Sequence, residues 1–281
     1  MKKIIFICCF FTIFFVNAQD KKSYQLFDKN GNKTSYKKLL KKAKKSDIVF
    51  FGEYHNNAIS HWLEYELLKD LAENNQVTMG LEMLERDNQN IVNQYINNEI
   101  NQKQLDSLAR LWSNYKDYAP MVDFAKEKKI KVIASNVPRK YASLVYKKGL
   151  QSLDTLSVTE KKWIAPLPIA YDGSLSQYQK MQKMAHSEND NFPKSQAIKD
   201  ATMAFSILEN FEKGTIFYHL NGGFHTDFFQ GIVWYISQKK PDLKQLTITT
   251  VVQKDIRRLE KEYYQQADFI LVVDEDMPTT F

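Results

Sequence analysis

The sequence predicts an α/β protein: a mainly parallel β-sheet with helices on both faces and a smaller helical subdomain. Six short segments are apolar or β-branched and are bounded by polar or turn residues, as buried strands are. Helical patterns separate the early segments, and two longer stretches of the chain are also helical in period. Because strands that alternate with helices form crossover units, we expect a parallel sheet covered on both sides.

The strands are expected where apolar or β-branched residues run without a break. The first contains "IVFF" and the fourth contains "TIFYHL", and a glycine follows closely after each. The predicted strands span residues 47–51, 77–81, 131–134, 215–220, 246–251 and 269–273.

Helices are expected between these strands. Apolar residues recur at helical spacing after the first strand, which predicts a helix packed on the sheet; they are Ile59, Trp62, Leu63, Leu67 and Leu71. Two longer helical insertions are expected near residues 85–125 and 150–212. We expect these insertions to form the smaller helical subdomain within one domain that spans residues 19–281.

The first eighteen residues predict a secretory signal peptide. Two lysines precede an apolar run over residues 4–16, and small residues follow in "VNA", so cleavage is expected after Ala18. A single anchoring helix is the alternative, but the run is shorter than the ~20 residues that a membrane span needs. A lipoprotein signal is not expected, because Ile7 precedes Cys8 where a small residue is required. The protein is therefore expected to be exported and to be periplasmic or secreted.

Cysteine content and charge exclude several classes of site. Both cysteines, Cys8 and Cys9, lie in the signal segment, so the mature chain would have neither disulfides nor thiolate metal sites. Loss of Lys2 and Lys3 lowers the net charge from +6 to +4. The remaining lysines alternate with apolar residues, as on the solvated face of a helix, and no glycine-rich phosphate loop is present. The sequence therefore does not predict a nucleic-acid partner.

Two similar motifs follow predicted strands. Gly52-x-x-His55 comes after the first strand and Gly222-x-x-His225 after the fourth. A glycine allows the chain to turn sharply where a side chain would collide. Ligands in parallel sheets bind beyond the carboxyl ends of the strands, so polar residues at these ends are candidates for a site. The residues expected to gather along this edge are Glu53, His55, Glu82, Asn136 and His225.

Two chemistries fit this edge. A divalent metal could be held there and could activate a water molecule for hydrolysis. The candidate metal ligands are Glu53, His55, Glu82 and His225. The catalytic residues of such a hydrolase would be Glu53, His55 and His225. Alternatively, His55 paired with Glu53 could act as a general base without a metal. A purely structural role is a third interpretation, since a histidine at a strand end is usually only hydrogen-bonded.

A second candidate site lies in the later helical insertion. The stretch "AYDGSLSQYQKMQKMAHSEND" contains Tyr171, Tyr178, Lys183 and His186. A tyrosinate oxygen is an axial ligand of haem iron, and lysine or histidine can bind the propionates. Packing on one helical face is the alternative for Tyr178, and His186 could simply favour the helix dipole.

The ordered motifs of the chain resemble the ChaN-like haem-binding proteins of iron uptake. The resemblance covers roughly residues 47–231, which is most of the mature chain, and its ordered succession is more specific than any single motif. It is carried by "FGEYHNNAISHWLEYELL", "GLEMLERDNQNIVNQYI", "WSNYKDYAPMVDFAKEKKIKVIASNVPRKYASLVYKKGLQSL", "FPKSQAIKDATMAFSI" and "LNGGFHTDF".

This resemblance implies an exported haem-binding protein involved in haem and iron uptake. In the family, haem lies between two monomers, a tyrosine binds the iron, and a histidine and a lysine of the partner meet the propionates. Applied to this sequence, it implies Tyr178 as the iron ligand, Lys183 and His186 at the propionates, and Tyr171 and Tyr54 as alternative ligands. A homodimer formed on haem binding is implied, and an outer-membrane haem receptor is a candidate partner.

The resemblance also keeps an enzymatic alternative open. The wider superfamily of the ChaN-like proteins includes TIKI-type metalloproteases and erythromycin esterases, and these enzymes also carry Gly-x-x-His motifs at strand ends. The alternative function is thus a metal-dependent hydrolase that uses the paired motifs. The chain departs from the family in one respect, because family members are often lipoproteins and no lipobox is present.

Overall fold

In the computed structural model, which describes residues 21–185 and 189–281, the chain is built on a seven-stranded β-sheet. The order across the sheet is β1-β7-β6-β2-β5-β3-β4; β1 is antiparallel to β7, and all other neighbours are parallel. The strands are β1 (Tyr24–Asp28), β2 (Ile48–Glu53), β3 (Val77–Glu85), β4 (Lys131–Asn136), β5 (Ile216–Gly222), β6 (Gln245–Gln253) and β7 (Phe269–Asp274). The predicted fold class is confirmed.

The six predicted strands are present, and each continues past its predicted carboxyl end. These extensions carry polar residues, such as Glu53 in β2 and Glu82 in β3, that are buried because they have hydrogen-bond partners. The sequence did not predict β1. It is a short edge strand with only two of its five residues buried, so its hydrophobic pattern is weak.

The helices lie between the strands, and most of them fall in two long connections. Between β3 and β4 the chain forms α3–α5, and between β4 and β5 it forms α6–α9. No described helix is both long and apolar enough to cross a bilayer. The helices are α1 (Tyr36–Ala43), α2 (Ala58–Ala72), α3 (Gln89–Ile96), α4 (Gln102–Leu108), α5 (Ala119–Lys128), α6 (Arg139–Lys148), α7 (Val158–Lys161), α8 (Ser176–Met184), α9 (Asn191–Asn210) and α10 (Ile232–Lys239).

Helices cover both faces of the sheet. Successive residues of β2 point to opposite faces, so Val49 packs in the cluster that contains Leu67 of α2, and Phe50 packs in the cluster that contains Ile207 of α9 and Ile236 of α10. All five side chains are buried. Burial of each stabilises the fold by roughly 1.5–3 kcal/mol relative to exposure.

Helix α2 forms as predicted, and its leucines face the sheet. Leu63, Leu67 and Leu71 are buried. Trp62 belongs to the same sequence pattern but is largely exposed, and its ring lies against Tyr24 of β1, with ring centroids 5.7 Å apart. The sequence pattern could not show this, because the position of Trp62 depends on the unpredicted edge strand.

Candidate functional site

The polar edge of the site lies at the carboxyl ends of β2, β5 and β3, which are neighbours in the sheet. The structure brings Glu53, His55, Glu82 and His225 together around Gly222. They form two separate networks of histidine and carboxylate groups, which we name the Glu53 cluster (Glu53, His55, His61, Glu64 and Tyr118) and the His225 cluster (Glu82, Tyr178, Asp200 and His225).

The Glu53 cluster holds one buried carboxylate among several donors. Glu53 Oε1 accepts hydrogen bonds from the Tyr118 hydroxyl at 2.6 Å and from His55 Nδ1 at 2.6 Å. Burial raises the pKa of Glu53, but the hydrogen bonds from His55 and His61 outweigh burial and bring this pKa down to about 2. Glu53 is therefore ionised and fixes the orientation of the His55 ring.

Helix α2 supplies two members of the Glu53 cluster that sequence reasoning missed. The helix begins after Asn57, whose side chain accepts a hydrogen bond from Ser60 N at 2.9 Å. This start turns His61 and Glu64 toward Glu53, and both are buried. His61 Nδ1 lies 3.1 Å from Glu53 Oε2 and 3.2 Å from Glu64 Oε2. The available signal was the His-x-x-Glu spacing, which places both side chains on one face of a helix next to Glu53.

The carboxylates and histidines of the Glu53 cluster shift one another's pKa values. Burial lowers the pKa of His61, but its bonds to Glu53 and Glu64 outweigh burial and raise this pKa to about 11. Burial and the nearby Glu53 raise the pKa of Glu64 well above its usual value. For His55, the bond to Glu53 overcomes burial and raises the pKa.

The His225 cluster has a different form, because its histidine lies between two acids. Glu82 Oε1 lies 3.0 Å from His225 Nε2, and Glu82 Oε2 accepts from Gly222 N at 2.8 Å. His225 Nδ1 makes a short hydrogen bond to Asp200 Oδ1. Burial lowers the pKa of His225, but the carboxylates of Glu82 and Asp200 outweigh burial and raise this pKa to about 9. Burial raises the pKa of Glu82, but the nearby His225 outweighs burial and lowers it. Both ring nitrogens of His225 therefore carry protons at neutral pH.

Gly222 separates the two clusters. A Cβ atom at this position would lie 2.9 Å from His55 Nε2, and one at Gly52 would lie 3.0 Å from Gly223 Cα. A Cβ would therefore crowd the ring of His55 at Gly222 and the backbone of the neighbouring segment at Gly52. The sharp turn that the sequence suggested at Gly222 is not needed, because its φ of −61° is open to any residue.

The tyrosine-rich segment lies beside the His225 cluster. Tyr178 is 2% exposed, and its hydroxyl donates to Asp200 Oδ2 at 2.7 Å. Burial raises the pKa of Tyr178 well above its usual value, so the phenol stays neutral. Tyr171 stacks on Tyr178 with ring centroids 5.6 Å apart. The Tyr178 hydroxyl thus contacts an acid of the polar edge, and its role as an iron ligand stays a prediction.

The other predicted haem contacts lie in different places. Lys183 is exposed on α8, and His186 lies outside the described residues. Tyr54 follows Glu53 directly and is 47% exposed. Tyr178 and Lys183 lie on the same helix, α8, whereas Tyr54 lies directly after β2.

A groove of about 930 Å³ opens beside His55. Its lining combines cations with flat apolar groups: Arg110, Arg139, Lys140, Trp112 and Phe281. The ring of His55 meets that of Trp112 edge-on, with centroids 5.0 Å apart, and the His55 side chain is 36% exposed. His55 is thus the member of the two clusters through which a ligand in the groove would reach the polar edge.

The predicted metal ligands are divided between the two clusters. His55 pairs with Glu53, and His225 pairs with Glu82 and Asp200. Among the described residues, one set of three side chains places a carboxylate or imidazole ligand atom of each within 4.8 Å of the others: Glu53, His61 and Glu64.

Solved structures share the fold. One is the structure of Campylobacter jejuni ChaN with cofacially bound haem, which is 19% identical and has a TM-score of 0.68 over 91% of this chain and 98% of that chain. A succinoglycan biosynthesis protein is 13% identical, with a TM-score of 0.51 over 86% of this chain and 91% of the other. A Bacillus cereus protein is 12% identical, with a TM-score of 0.50 over 85% and 90%. At these identities the likeness concerns the fold alone.

The sequence comparisons identify the family. No curated protein matches the chain. A family model described as haem-binding uptake, Tiki superfamily, ChaN matches residues 39–236, from α1 into α10, and thus includes both Gly-x-x-His motifs. Because this match spans well over half of the chain, the protein belongs to the ChaN haem-binding uptake family of the Tiki superfamily.

Proposed function

We propose that this protein binds haem at the carboxyl edge of its sheet and that Tyr54 holds the iron. The observation that carries the proposal is the exposure of Tyr54, the residue that precedes His55 of the groove in the chain, in a member of a haem-binding family. An iron ligand must be reachable, and of the three candidate tyrosines Tyr178 is buried with its hydroxyl bonded to Asp200. Tyr171 is partly covered by its stacking on Tyr178. When bound, haem would supply an iron centre that a phenolate can ligate.

The groove fits the chemistry of a haem. Its volume of about 930 Å³ is within the range of pockets that hold cofactors. Trp112 and Phe281 offer apolar faces to a porphyrin, and Arg110, Arg139 and Lys140 offer positive charge to its propionates. Arg110 is already paired with Glu85 at 2.9 Å, so Arg139 and Lys140 are the better candidates.

A second copy of the chain completes the proposed site. Haem is bound cofacially in the ChaN structure from Campylobacter jejuni, and two facing haems need two sites. We propose that a homodimer supplies them and that Lys183, exposed on α8, contacts a propionate across the interface. Sedimentation analysis with and without haemin tests this, since a protein that stays monomeric when loaded contradicts the dimer.

Haemin titration tests the ligand. Wild-type protein should develop a shifted Soret band and a phenolate-to-iron charge-transfer band, and Tyr54→Phe should lose the latter. Tyr146→Phe is the matched control, because Tyr146 is also exposed, on α6, and does not line the groove. Loss of the band in Tyr178→Phe but not in Tyr54→Phe would return the assignment to Tyr178. Absence of any Soret shift in the wild type contradicts haem binding.

A second candidate function is hydrolysis by acid–base catalysis at His55. The observation that favours it is that Glu53 holds Nδ1, while Nε2 of the half-exposed ring has no hydrogen-bond partner among the described residues. A base oriented by a carboxylate in this way is the arrangement that general acid–base catalysis uses. The assay is hydrolysis of 4-nitrophenyl esters by the wild type, Glu53→Gln and His55→Ala. Equal rates for all three contradict the candidate.

We also propose that the protein is exported with cleavage after Ala18. The segment lies outside the described residues, and the proposal rests on its lysines, apolar run and small residues. Mass spectrometry of the protein from whole cells gives the test. A mature chain that begins at Gln19 supports export, and a chain that retains residues 1–18 contradicts cleavage.

A further inference from the structure

The hydrogen bonds around His61 leave its Nδ1 facing the carboxylates of the Glu53 cluster. His61 Nε2 lies 3.2 Å from the backbone oxygen of His55, which also accepts from Asn114 Nδ2 at 3.1 Å. A carbonyl oxygen only accepts, so Nε2 carries a hydrogen. In the neutral ring, Nδ1 then presents a lone pair, which is the tautomer that a metal-binding histidine needs.

That lone pair faces two carboxylates. Glu53 Oε2 lies 3.1 Å from Nδ1, and Glu64 Oε2 lies 3.2 Å from it. The two carboxylate side chains are fully buried, and the imidazole is 8% exposed. Three electron-rich atoms at these distances are repulsive unless a positive charge lies between them.

A single proton on Nδ1 leaves the cluster incompletely satisfied. Neither Glu53 Oε2 nor Glu64 Oε1, both buried, accepts a well-directed hydrogen bond from a described residue, since His61 Nδ1 is directed at Glu64 Oε2 and only lies 3.1 Å from Glu53 Oε2. A buried polar atom without a partner is rare in native proteins and indicates a missing ion or water. Two such atoms in one cluster therefore point to a ligand.

We propose that Glu53, His61 and Glu64 form a buried binding site for a divalent first-row metal ion. Two carboxylates balance the charge of such an ion, and the imidazole completes three ligands. The ligand atoms of a tetrahedral ion with bonds of about 2.1 Å lie about 3.4 Å apart. The observed separations of 3.1 and 3.2 Å from Nδ1 are close to that value.

The surroundings resemble those of a metal centre. The Tyr118 hydroxyl donates to Glu53 Oε1 at 2.6 Å, and His61 donates from Nε2 to a carbonyl, so both ligands are oriented by outer partners. One imidazole and two carboxylates suit Zn²⁺, Mn²⁺ or Fe²⁺, whereas Mg²⁺ and Ca²⁺ prefer oxygen ligands alone. The ion would bind Glu53 on the side of His61 and would hold this carboxylate in place. Because Glu53 also bonds to His55, the ion would help to orient the His55 ring.

This site differs from the metal set that the sequence suggested. It uses Glu53 but replaces His55, Glu82 and His225 by two residues of α2. It also stands apart from the proposed haem site, because its atoms are buried and its ligands do not include a tyrosine. The two proposals can therefore fail independently.

Cobalt titration of the full chain, free of haem and treated with a chelator, tests the site. We expect one Co²⁺ per chain with visible ligand-field bands, displaced by Zn²⁺ but not by Mg²⁺. Glu64→Gln and His61→Gln should each weaken Co²⁺ binding by at least about a hundredfold, which is the upper end of losses seen for residues that only orient metal ligands. Glu66→Gln on the same helix should leave Co²⁺ binding within about twofold.

The design separates ligand loss from misfolding. Glu64→Gln keeps the shape of the side chain and removes a buried charge, and circular dichroism confirms that each variant is folded. Anomalous scattering from Zn²⁺-soaked crystals locates the ion. The proposal is overturned if the wild type binds no Co²⁺, if folded Glu64→Gln and His61→Gln bind it as tightly as the wild type, or if the ion lies at His55 and His225 instead.

Discussion

The two Gly-x-x-His motifs produce clusters of opposite character. His55 has one ring nitrogen on a buried carboxylate and a ring that is 36% exposed beside the groove. His225 has both nitrogens on acids and is buried under α9. The same motif therefore gives an accessible histidine in one place and a fixed internal cation in the other. What differs is the covering: Gln196 and Asp200 of α9 contact the ring of His225, whereas the groove leaves His55 open.

The strongest test of this contrast is the removal of each histidine. His225→Ala leaves Glu82 and Asp200 buried without their shared cation, so we expect a loss of about 3–5 kcal/mol in the free energy of unfolding. His55→Ala should cost less, because water can replace its half-exposed ring. Urea unfolding of both variants measures the difference. Equal losses would mean that the two clusters are not distinct in kind.

We expect His225 to contribute to the pH dependence of the free energy of unfolding. Its pKa is raised from 6.5 to about 9 by Glu82 and Asp200 against the effect of burial, so its stabilisation is complete below pH 6.5 and is lost as the pH rises through 9. The full loss is about 3 kcal/mol. Denaturant unfolding between pH 6 and 10 gives the curve.

His225→Gln supplies the control for that curve, since it lacks the titrating group. The decline in unfolding free energy between pH 6.5 and 9 should become shallower in this variant, and the part that remains is expected from His61 and His55, whose pKa values are also raised. A curve as steep as that of the wild type would show that another group causes the decline.

Two phenols allow a closer comparison of the clusters. Tyr178→Phe removes the hydroxyl that donates to Asp200, and Tyr118→Phe removes the one that donates to Glu53. Hydrogen bonds to charged acceptors contribute about 1.5–3 kcal/mol, and each variant should lose an amount in that range. Tyr118→Phe should also alter the titration of His55, followed by NMR, because both share Glu53 Oε1. No change at His55 would contradict that coupling.

The smallest effect is expected at Gly222, the glycine that separates the two clusters. A Cβ at Gly222 meets the ring of His55, which can move into the groove, so Gly222→Ala should destabilise by about 1 kcal/mol. A Cβ at Gly52 meets backbone atoms of Gly223 and Ile248, which cannot move so easily, and the loss should approach ~3 kcal/mol. Thermal unfolding ranks the two variants, and the reverse order contradicts the close approach at Gly52.

The sequence showed more of the fold than of the site. Six parallel strands and the helix after the first could be predicted because their apolar runs and helical spacing depend on burial alone. The strand β1 could not, since an edge strand buries too little to leave a pattern. Within the site, the polar residues at strand ends could be predicted from the sequence. His61, Glu64 and Asp200 could not, because they lie in helices whose sequence pattern indicates only packing on the sheet.

By itself the sequence determined the sheet, the family and the two glycine-histidine motifs at the carboxyl ends of its strands. Only the tertiary structure decided what surrounds each motif. It buried Tyr178 on Asp200, exposed Tyr54, and turned His61 and Glu64 of α2 toward Glu53. The physical reason is that burial and partners of a polar side chain depend on which distant helix packs over it, and spacing along the chain does not encode that choice.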